Sequence, residues 1–452
     1  GLAYYYDTGS ESCNVLDIGI CTDTDITILS EFSGIPVTKI CDGAFENCRF
    51  ITSVTIPAGV ADIGRDAFKN CTSLESVTIP SSVISIGRDA FNNCLALSEV
   101  YITDIAAWCN IDFIEGTSNP LLYAPNLYLN NKLVTDLTIP VGVTNIGAFA
   151  FYCCNSLKSI TIPAGVIDIG WDAFSGCSSL KGIAIPAGVT EIKNRTFKDC
   201  SSLTSITIPA GVTSIGEEAF QGCSMLTNIT IPASVIDIGW YAFSDCSALT
   251  SIIIPDGVTS IEAGVFSSCS ALKTVTIGKK SQLVGIGDAA YEGCSALMSV
   301  TIPDSVTSIN YRAFYDCISL TSITIPVGVT SIEGNAFYGC TKLVEVYNKS
   351  SLPLTIGSIN NGYVAYYAAN IYTENGMSWF TDTKDGYRYF YNKEKDASYL
   401  MGYYGTEAII SLPESFQAYN GDIKTEYGIF PSAFSYCVDL KSVTIPDSVT
   451  SI

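Results

Sequence analysis

The sequence predicts a β-rich solenoid of about thirteen coils, each 23 residues long and closed by a short helical or 3₁₀ turn. Three regularities carry that expectation. An aromatic anchor recurs at Phe45, Phe68, Phe91, Phe151, Phe174, Phe197, Phe220, Phe243, Phe266, Tyr291, Phe314, Phe337 and Phe434, with a step of 23 inside each uninterrupted run. A cysteine stands three residues after every anchor, from Cys48 and Cys71 through Cys200 to Cys437. Between anchors, β-branched apolar residues alternate with Ser and Thr, the period of a half-buried strand.

One repeat shows the physical logic. Leu74, Val77, Ile79, Val83, Ile86, Ala90, Phe91 and Cys94 are apolar, and the residues between them are mainly Ser, Thr, Gly, Asn or charged. The apolar set is the inside of a coil. Residues 75–79 form the first strand, with Val77 and Ile79 inward and Ser76 and Thr78 outward. Pro80 ends it, having no N–H to donate. The pair after the proline is small or turn-favouring, as in Ala58-Gly59, Ser81-Ser82, Ala164-Gly165 and Asp256-Gly257, and suits a tight corner. Residues 83–86 make a second extended piece. Gly87 lets the backbone bend, and residues 89–93 are long enough for one helical or 3₁₀ turn that drops Phe91 into the core. A single coil encloses too little apolar surface to fold alone, so each is completed by its neighbours.

The resulting pattern, L-x-x-V-T-I-P-x-x-V-x-x-I-G-x-x-A-F-x-x-C, resembles the BspA-like leucine-rich repeats (LRR) of bacterial cell-surface proteins, over most of the chain. That resemblance implies a right-handed, curved leucine-rich-repeat solenoid with parallel strands on one face. It also implies a secreted or surface-displayed protein that adheres to host or microbial proteins.

Interruptions divide the chain. Residues 1–40, with strands at 25–28 and 36–40, read as an N-terminal capping region over the first core edge, and 41–347 as the main array. Phe91 and Phe151 lie 60 apart where two repeats span 46, so 14 residues are inserted within 103–133. There Ile105, Trp108 and Cys109 have helical spacing across 104–111, and 126–133 read as a strand pair turning at Asn130-Asn131. A smaller insertion at 278–282 stretches the step from Phe266 to Tyr291 to 25.

Residues 348–405 read as a β-hairpin-rich aromatic insertion. Residues 362–372 suit a short helix, and Trp379-Phe380, 387–391 and 399–404 suit strands joined at Asp385-Gly386 and 393–396. The aromatic side chains Tyr366, Tyr367, Trp379, Tyr387, Tyr389, Phe390, Tyr391, Tyr403 and Tyr404 are expected to pack on the solenoid rather than form a sugar- or peptide-binding platform. Residues 406–452 resume the array with a looser coil.

Composition narrows the chemistry. With 44 Asp+Glu against 23 Lys+Arg, the net charge of −21 repels phosphate backbones and anionic lipid, so nucleic acid and direct membrane contact are poor partners. No apolar run is long enough to span a membrane. The start at Gly1 and the stop at Ser451-Ile452, partway through a repeat, read as a piece of a longer protein without its signal peptide. The chain has no histidine, which removes Ser-His-Asp and Cys-His pairs, histidine bases and histidine metal ligands. No C-x-x-C spacing and no Gly-rich phosphate loop occurs. Asp23 with Asp25, and Asp382 with Asp385, supply too few ligands for a calcium loop and read as solvated turn residues. No catalytic residue, metal or cofactor is assigned and an enzyme is not expected, with a carboxylate-pair glycosidase left as a distant alternative.

The 18 cysteines are expected as buried free thiols acting as small apolar fillers. Equivalent Cα atoms of stacked coils lie about 4.8 Å apart, inside disulfide range, but parallel side-chain directions do not give the bond geometry. Cys13 with Cys21, and Cys153 with a neighbour, are the pairs where a bridge is conceivable.

The expected role is binding. The outward strand positions Thr78, Thr161, Thr207, Thr230, Thr276, Thr301 and Thr324 form a hydroxyl ladder, although strand propensity alone also favours Thr there. Three residues before the anchor the repeats vary, as Arg65, Arg88, Trp171, Asn194, Glu217, Trp240, Asp288 and Tyr311. Trp171, Trp240 and Tyr311 are candidate contact anchors, and burial of the tryptophans against adjacent coils is the competing account. The partner expected is an extracellular protein or glycan, met by a monomer at the cell surface. A passive stalk for recognition domains elsewhere is the alternative.

Overall fold

The computed structural model describes residues 1–278, 281–373, 387–392, 397–403, 407–417, 423–429, 433–434, 437 and 440–451. They fall in two compact units, Gly1–Leu249 and Thr250–Ile452. Both are built of β-coils with almost no helix, and the turns number about 17.

In the first unit most regular coils contribute two short strands to parallel ladders, where the family resemblance pointed to strands on one face; the coil around Asn228 contributes only Asp237–Ile238. Ser53–Thr55, Ser76–Ile79 and Glu99–Ile102 pair in one ladder, and Asp62–Ile63, Ser85–Ile86 and Asp112–Phe113 in the other. Val54 lies opposite Val77, and Val77 opposite Val100. The alternation behaves as the sequence requires: Val77 and Ile79 are buried, Ser76 and Thr78 half-buried on the outside.

The anchors form a column of parallel rings. Phe45, Phe68 and Phe91 stack with centroids 5.0 and 5.1 Å apart. Phe151, Phe174, Phe197, Phe220 and Phe243 follow at 5.4, 5.7, 5.5 and 5.3 Å. Each stacked pair adds about 0.5–1.5 kcal/mol beyond the area it buries. The cysteines are more than fillers, since Cys71, Cys94 and Cys177 donate to the carbonyls of Phe45, Phe68 and Phe151 at 3.1, 3.1 and 3.0 Å. All 18 thiols are free, including Cys13, Cys21 and Cys153.

The turn around each anchor is a run of three-residue closures linked sideways to the next coil. Ala90, Asn92 and Cys94 donate back to Gly87, Asp89 and Phe91, while Asp66, Phe68 and Asn70 donate across to Arg88, Ala90 and Asn92. Left-handed residues punctuate it, Asp89 at φ 55° and Asn93 at φ 63°. Gly87 serves close approach rather than bending, because a Cβ there would sit 2.6 Å from the Arg65 nitrogen.

The insertion builds a coil that lacks an aromatic anchor, which is one reason turns outnumber anchors. Asp104 caps the helix Ile105–Cys109, which buries Ile105, Trp108 and Cys109, and the Trp108 indole donates to the Ala150 carbonyl at 2.7 Å. Two 3₁₀ turns, Gly116–Ser118 and Pro120–Leu122, follow; no sequence signal had been assigned to them. Asn126–Leu129 then joins Glu99–Ile102 in register and turns back to Lys132–Leu133 through Asn130 and Asn131, both with positive φ. At the N-terminus, Asp25–Thr27 and Ile35–Ile40 are strands as expected. A hairpin of Ala3–Asp7 with Ser12–Asp17 was not anticipated; its second strand runs parallel to Ile35–Ile40.

The second unit repeats the design. Ser251–Ile254, Thr274–Ile277 and Ser299–Val300 form one ladder, and Ser260–Ile261, Gly285–Ile286, Ser308–Ile309 and Ser331–Ile332 the other. Phe266, Tyr291, Phe314 and Phe337 stack at 5.5, 5.1 and 5.0 Å. The short helix expected over 362–372 is reduced to one 3₁₀ turn, Asn361–Tyr363, because Gly362 and Tyr363 take φ 62° and 67°. Asn370–Thr373 is instead a strand beside Glu345–Asn348. Tyr387–Asn392 and Ala397–Tyr403 make the expected hairpin. Tyr387, Tyr389 and Tyr403 pack with Phe416 and Tyr427 in a buried cluster, the packing role foreseen for them. Trp379-Phe380, Asp382, Asp385-Gly386, 393–396 and Tyr404 lie outside the described residues, as do the side chains of Phe390 and Tyr391.

Candidate functional site

Three columns of side chains leave the coils. The first is the hydroxyl ladder: Thr161, Thr207, Thr230, Thr276 and Thr301 are exposed, Thr78 and Thr324 half-buried. In register they meet small or apolar residues, Thr55 beside Thr78, Ala184 beside Thr207 and Ile253 beside Thr276, but also Tyr101 on the other side of Thr78 and Tyr347 beside Thr324. Beside the two interruptions of the array the same column carries stacked tyrosine pairs, Tyr101 with Tyr128 at 4.8 Å in the first unit and Tyr347 with Tyr372 at 4.7 Å in the second.

The second column, three residues before the anchor, carries large exposed rings. Trp171 is 60 % exposed, Trp240 55 % and Tyr311 45 %, which decides against burial for the two tryptophans. Trp171 and Trp240, both in the first unit, are separated by three coils, roughly 15 Å at the ~5 Å spacing of parallel strands. Trp171 borders a cavity of about 390 Å³ whose rim includes the 2.7 Å ion pair of Lys193 with Asp168.

The third column, two residues before the anchor, was missed by the sequence reading. In the first unit Asp66, Asp89, Phe149, Asp172, Arg195, Glu218 and Tyr241 all stand at φ between 51° and 59°. This left-handed conformation costs most side chains about 1 kcal/mol or more. A signal was present: Asn and Asp, which tolerate it best, recur two residues after the anchor at Asn47, Asn70, Asn93, Asp199 and Asp245, each with positive φ.

This column and the insertion together enclose a groove of about 650 Å³ in the first unit. Phe149 and Tyr152 form its aromatic corner, centroids 5.7 Å apart and planes at 87°. The 3₁₀ turn of the insertion closes it: a Cβ on Gly116 would lie 3.0 Å from the Tyr152 ring. Asn119 holds that turn in place, donating to the Phe149 carbonyl at 2.7 Å. Ion pairs line the rims, Arg88 with Glu115 at 3.3 Å, and Arg195 and Lys198 with Glu218 at 2.8 and 2.6 Å. Asp172 stands on the floor, 8 % exposed, beside Ser175. Burial pushes its carboxyl up to about 6, against the pull of Arg195, and no ion pair joins it to a described residue.

A family profile described as "BspA type Leucine rich repeat region" matches the chain in six copies, over residues 36–113, 124–249, 190–285, 279–367 and 424–452. The chain belongs to the BspA-type leucine-rich repeat family. Solved structures share the repeat fold. A leucine-rich repeat protein of Bacteroides ovatus is 28% identical with a TM-score of 0.53, covering 76% of this chain and 92% of its own. One from Eubacterium ventriosum shares the fold at 23% identity and a TM-score of 0.51, over 80% and 99%. A leucine rich cell surface protein of Faecalibacterium prausnitzii is 28% identical over 83% and 95%, with a TM-score of 0.43. No curated protein matches the chain.

Within this BspA-type array the candidate residues named from sequence do not converge on one point. Thr78, Thr161, Thr207, Thr276 and Thr324 lie on strands, Thr230 and Thr301 at the equivalent positions outside any strand, and Trp171, Trp240 and Tyr311 beside the turns. What converges is the groove, whose walls come from different coils and from the insertion. Among the described residues no group of three or more Cys, Asp or Glu is placed to hold a metal ion, and no helix is long and apolar enough to cross a membrane.

Proposed function

We propose that this BspA-type chain is a non-catalytic scaffold, displayed outside the cell, whose turn face binds proteins of a host or of other microbes. The observation that carries the reading is the contrast between interior and turn face. Inside, the same Phe, Cys, Val and Ile positions recur from coil to coil. Outside, the two columns before each anchor change at nearly every coil and hold exposed tryptophan, tyrosine, arginine and carboxylates. Exposed aromatic and arginine side chains are the groups that dominate protein interfaces. Over the regular coils the ladder is mostly Ser and Thr and offers a ligand little to distinguish one coil from the next, giving way to tyrosines only beside the interruptions.

The test is retention of proteins from extracellular-matrix and microbial-surface extracts on the immobilised chain. Wild type retains specific proteins, and the double variant Trp171→Ala/Trp240→Ala loses them at least tenfold while melting at the same temperature. A chain that retains nothing is a stalk. Hydrolysis of a polysaccharide panel by the purified chain would defeat the non-catalytic assignment.

A further inference from the structure

The groove of the first unit has an unbalanced charge. Each cation on it, Arg88, Arg195 and Lys198, is already held by a glutamate at the rim. Asp172 has the Ser175 hydrogen bond and the pull of Arg195 and Lys198 but no ion pair of its own, although its side chain is almost fully withdrawn from water and faces the open space. A buried carboxylate without a direct ion pair is costly, and an incoming cation relieves that cost. The two rings beside it meet edge to face, and a cation that rests against an aromatic face gains further attraction. The volume of about 650 Å³ exceeds what one side chain fills and lies within the range of ligand pockets.

We propose that this groove receives a basic side chain, lysine or arginine, from a partner polypeptide, with Asp172 as its counter-ion and Phe149 and Tyr152 as its aromatic walls. The assignment rests on the reading of the chain as a protein-binding scaffold and gives that scaffold's partner a chemistry. Phe149 is informative in its own right. It occupies a left-handed position, φ 59°, where glycine fits without strain, so the ring is retained at a conformational cost.

Ionisation of Asp172 then gates the site. The groups facing it are Arg195, Lys198 and Glu218 from the following coils and Tyr152 and Cys153 from the preceding one. Tyr152 and Cys153 are held neutral by burial, Cys153 at about 11. Asp172, at about 6, is therefore the group in this set whose charge changes between pH 5 and 7.5.

The experiment is calorimetric titration of the whole chain, at low salt, with the capped tripeptides Ala-Lys-Ala and Ala-Arg-Ala and with Ala-norleucine-Ala, which lacks the charge. Expected are a single site for a basic peptide, none for the norleucine peptide, and at least tenfold weaker binding at pH 5 than at 7.5. Asp172→Asn should weaken binding tenfold and abolish its pH dependence, whereas Asp237→Asn, an exposed strand carboxylate, should change nothing. Phe149→Gly, chosen because the backbone there accommodates it, should weaken binding with the circular dichroism spectrum unchanged. Equal binding by wild type and Asp172→Asn, or many equivalent sites, overturns the proposal. The tripeptides need no biological partner, so a chain that binds them yet retains no protein from extracts keeps the site and loses the scaffold reading.

Discussion

The Cys200 thiol donates to the Phe174 carbonyl oxygen at 3.2 Å, from one coil into the anchor of the coil before it. That oxygen also accepts the Cys177 backbone N–H at 3.1 Å. The sulfur thus fills the space beneath the rings and ties adjacent turns together. Replacing Cys200 with alanine removes both contributions and should cost about 1–2 kcal/mol. Urea denaturation measures it, with Cys21→Ala as a partly exposed control. Equal midpoints for Cys200→Ala and wild type would show that the contact carries no stability.

Thiol reactivity should separate the ladder from the ends. Burial pushes Cys109 up to about 12 and Cys154 to about 11, and holds Cys177, Cys223 and Cys294 further above their ordinary value. Thiolate is the reacting species, so iodoacetamide should modify the partly exposed Cys21 in the native chain long before any of these. In denaturant without reductant all 18 should react, since every one is free. Mass spectrometry that finds ladder cysteines unlabelled after denaturation would mean disulfides.

Two carboxylates of the groove should give opposite pH signatures. Asp172 has its folded value raised to about 6 by burial, so the folded chain holds that proton more tightly than the unfolded one. Stability therefore falls as pH rises from about 4 to 6. Asp172→Asn should stabilise the chain by about 1–2 kcal/mol above pH 6, a figure reduced for the groove's access to water, and the gain should vanish near pH 4. Burial alone would raise Glu218, but bonds from Lys198 and Arg195 outweigh it and hold the carboxyl below its ordinary value. Its stabilisation is present above the unfolded value and lost as pH falls through the folded one, so Glu218→Gln should be destabilising at pH 7 and near neutral in acid. Melting curves at pH 4, 5, 6 and 7 test both signs.

The left-handed column predicts a reciprocal pair in the second unit. Ala289 stands at φ 54° and Gly264, at the equivalent position, at φ 64°. Ala289→Gly should stabilise by about 0.5 kcal/mol, the strain relieved exceeding the unfolded-chain entropy gained, and Gly264→Ala should destabilise by about 1 kcal/mol. Thermal melts of the two variants moving in the same direction would remove backbone strain from the account.

What could be read in advance was whatever depends on neighbouring residues in the chain. Val77 and Ile79 point inward because alternation dictates it, Trp108 and Cys109 share a buried helical face because their spacing does, and Asn130-Asn131 turns because both residues accept positive φ. The hairpin of Ala3–Asp7 with Ser12–Asp17 escaped notice because Tyr4, Tyr5 and Tyr6 break the alternation that marks a strand. The groove escaped it for a deeper reason. Asp172 becomes a buried carboxylate only because Phe149 and Tyr152 stand one coil away and the turn at Gly116 fills the place of an anchor. No window of consecutive residues contains that arrangement, and the cysteine-to-carbonyl bonds, 26 residues apart in sequence, are hidden in the same way.

Ser214 lies opposite Asp237 and Ile215 opposite Ile238, one repeat of 23 residues further on. A misaligned recombination that drops or copies a whole such unit leaves every surviving strand with a matching neighbour. The gene can therefore lengthen or shorten the array in one step, reshuffling which turn residues stand side by side without passing through a misfolded ancestor. Deleting a single codon inside a coil has no such tolerance, because it puts one strand out of step with both of its partners.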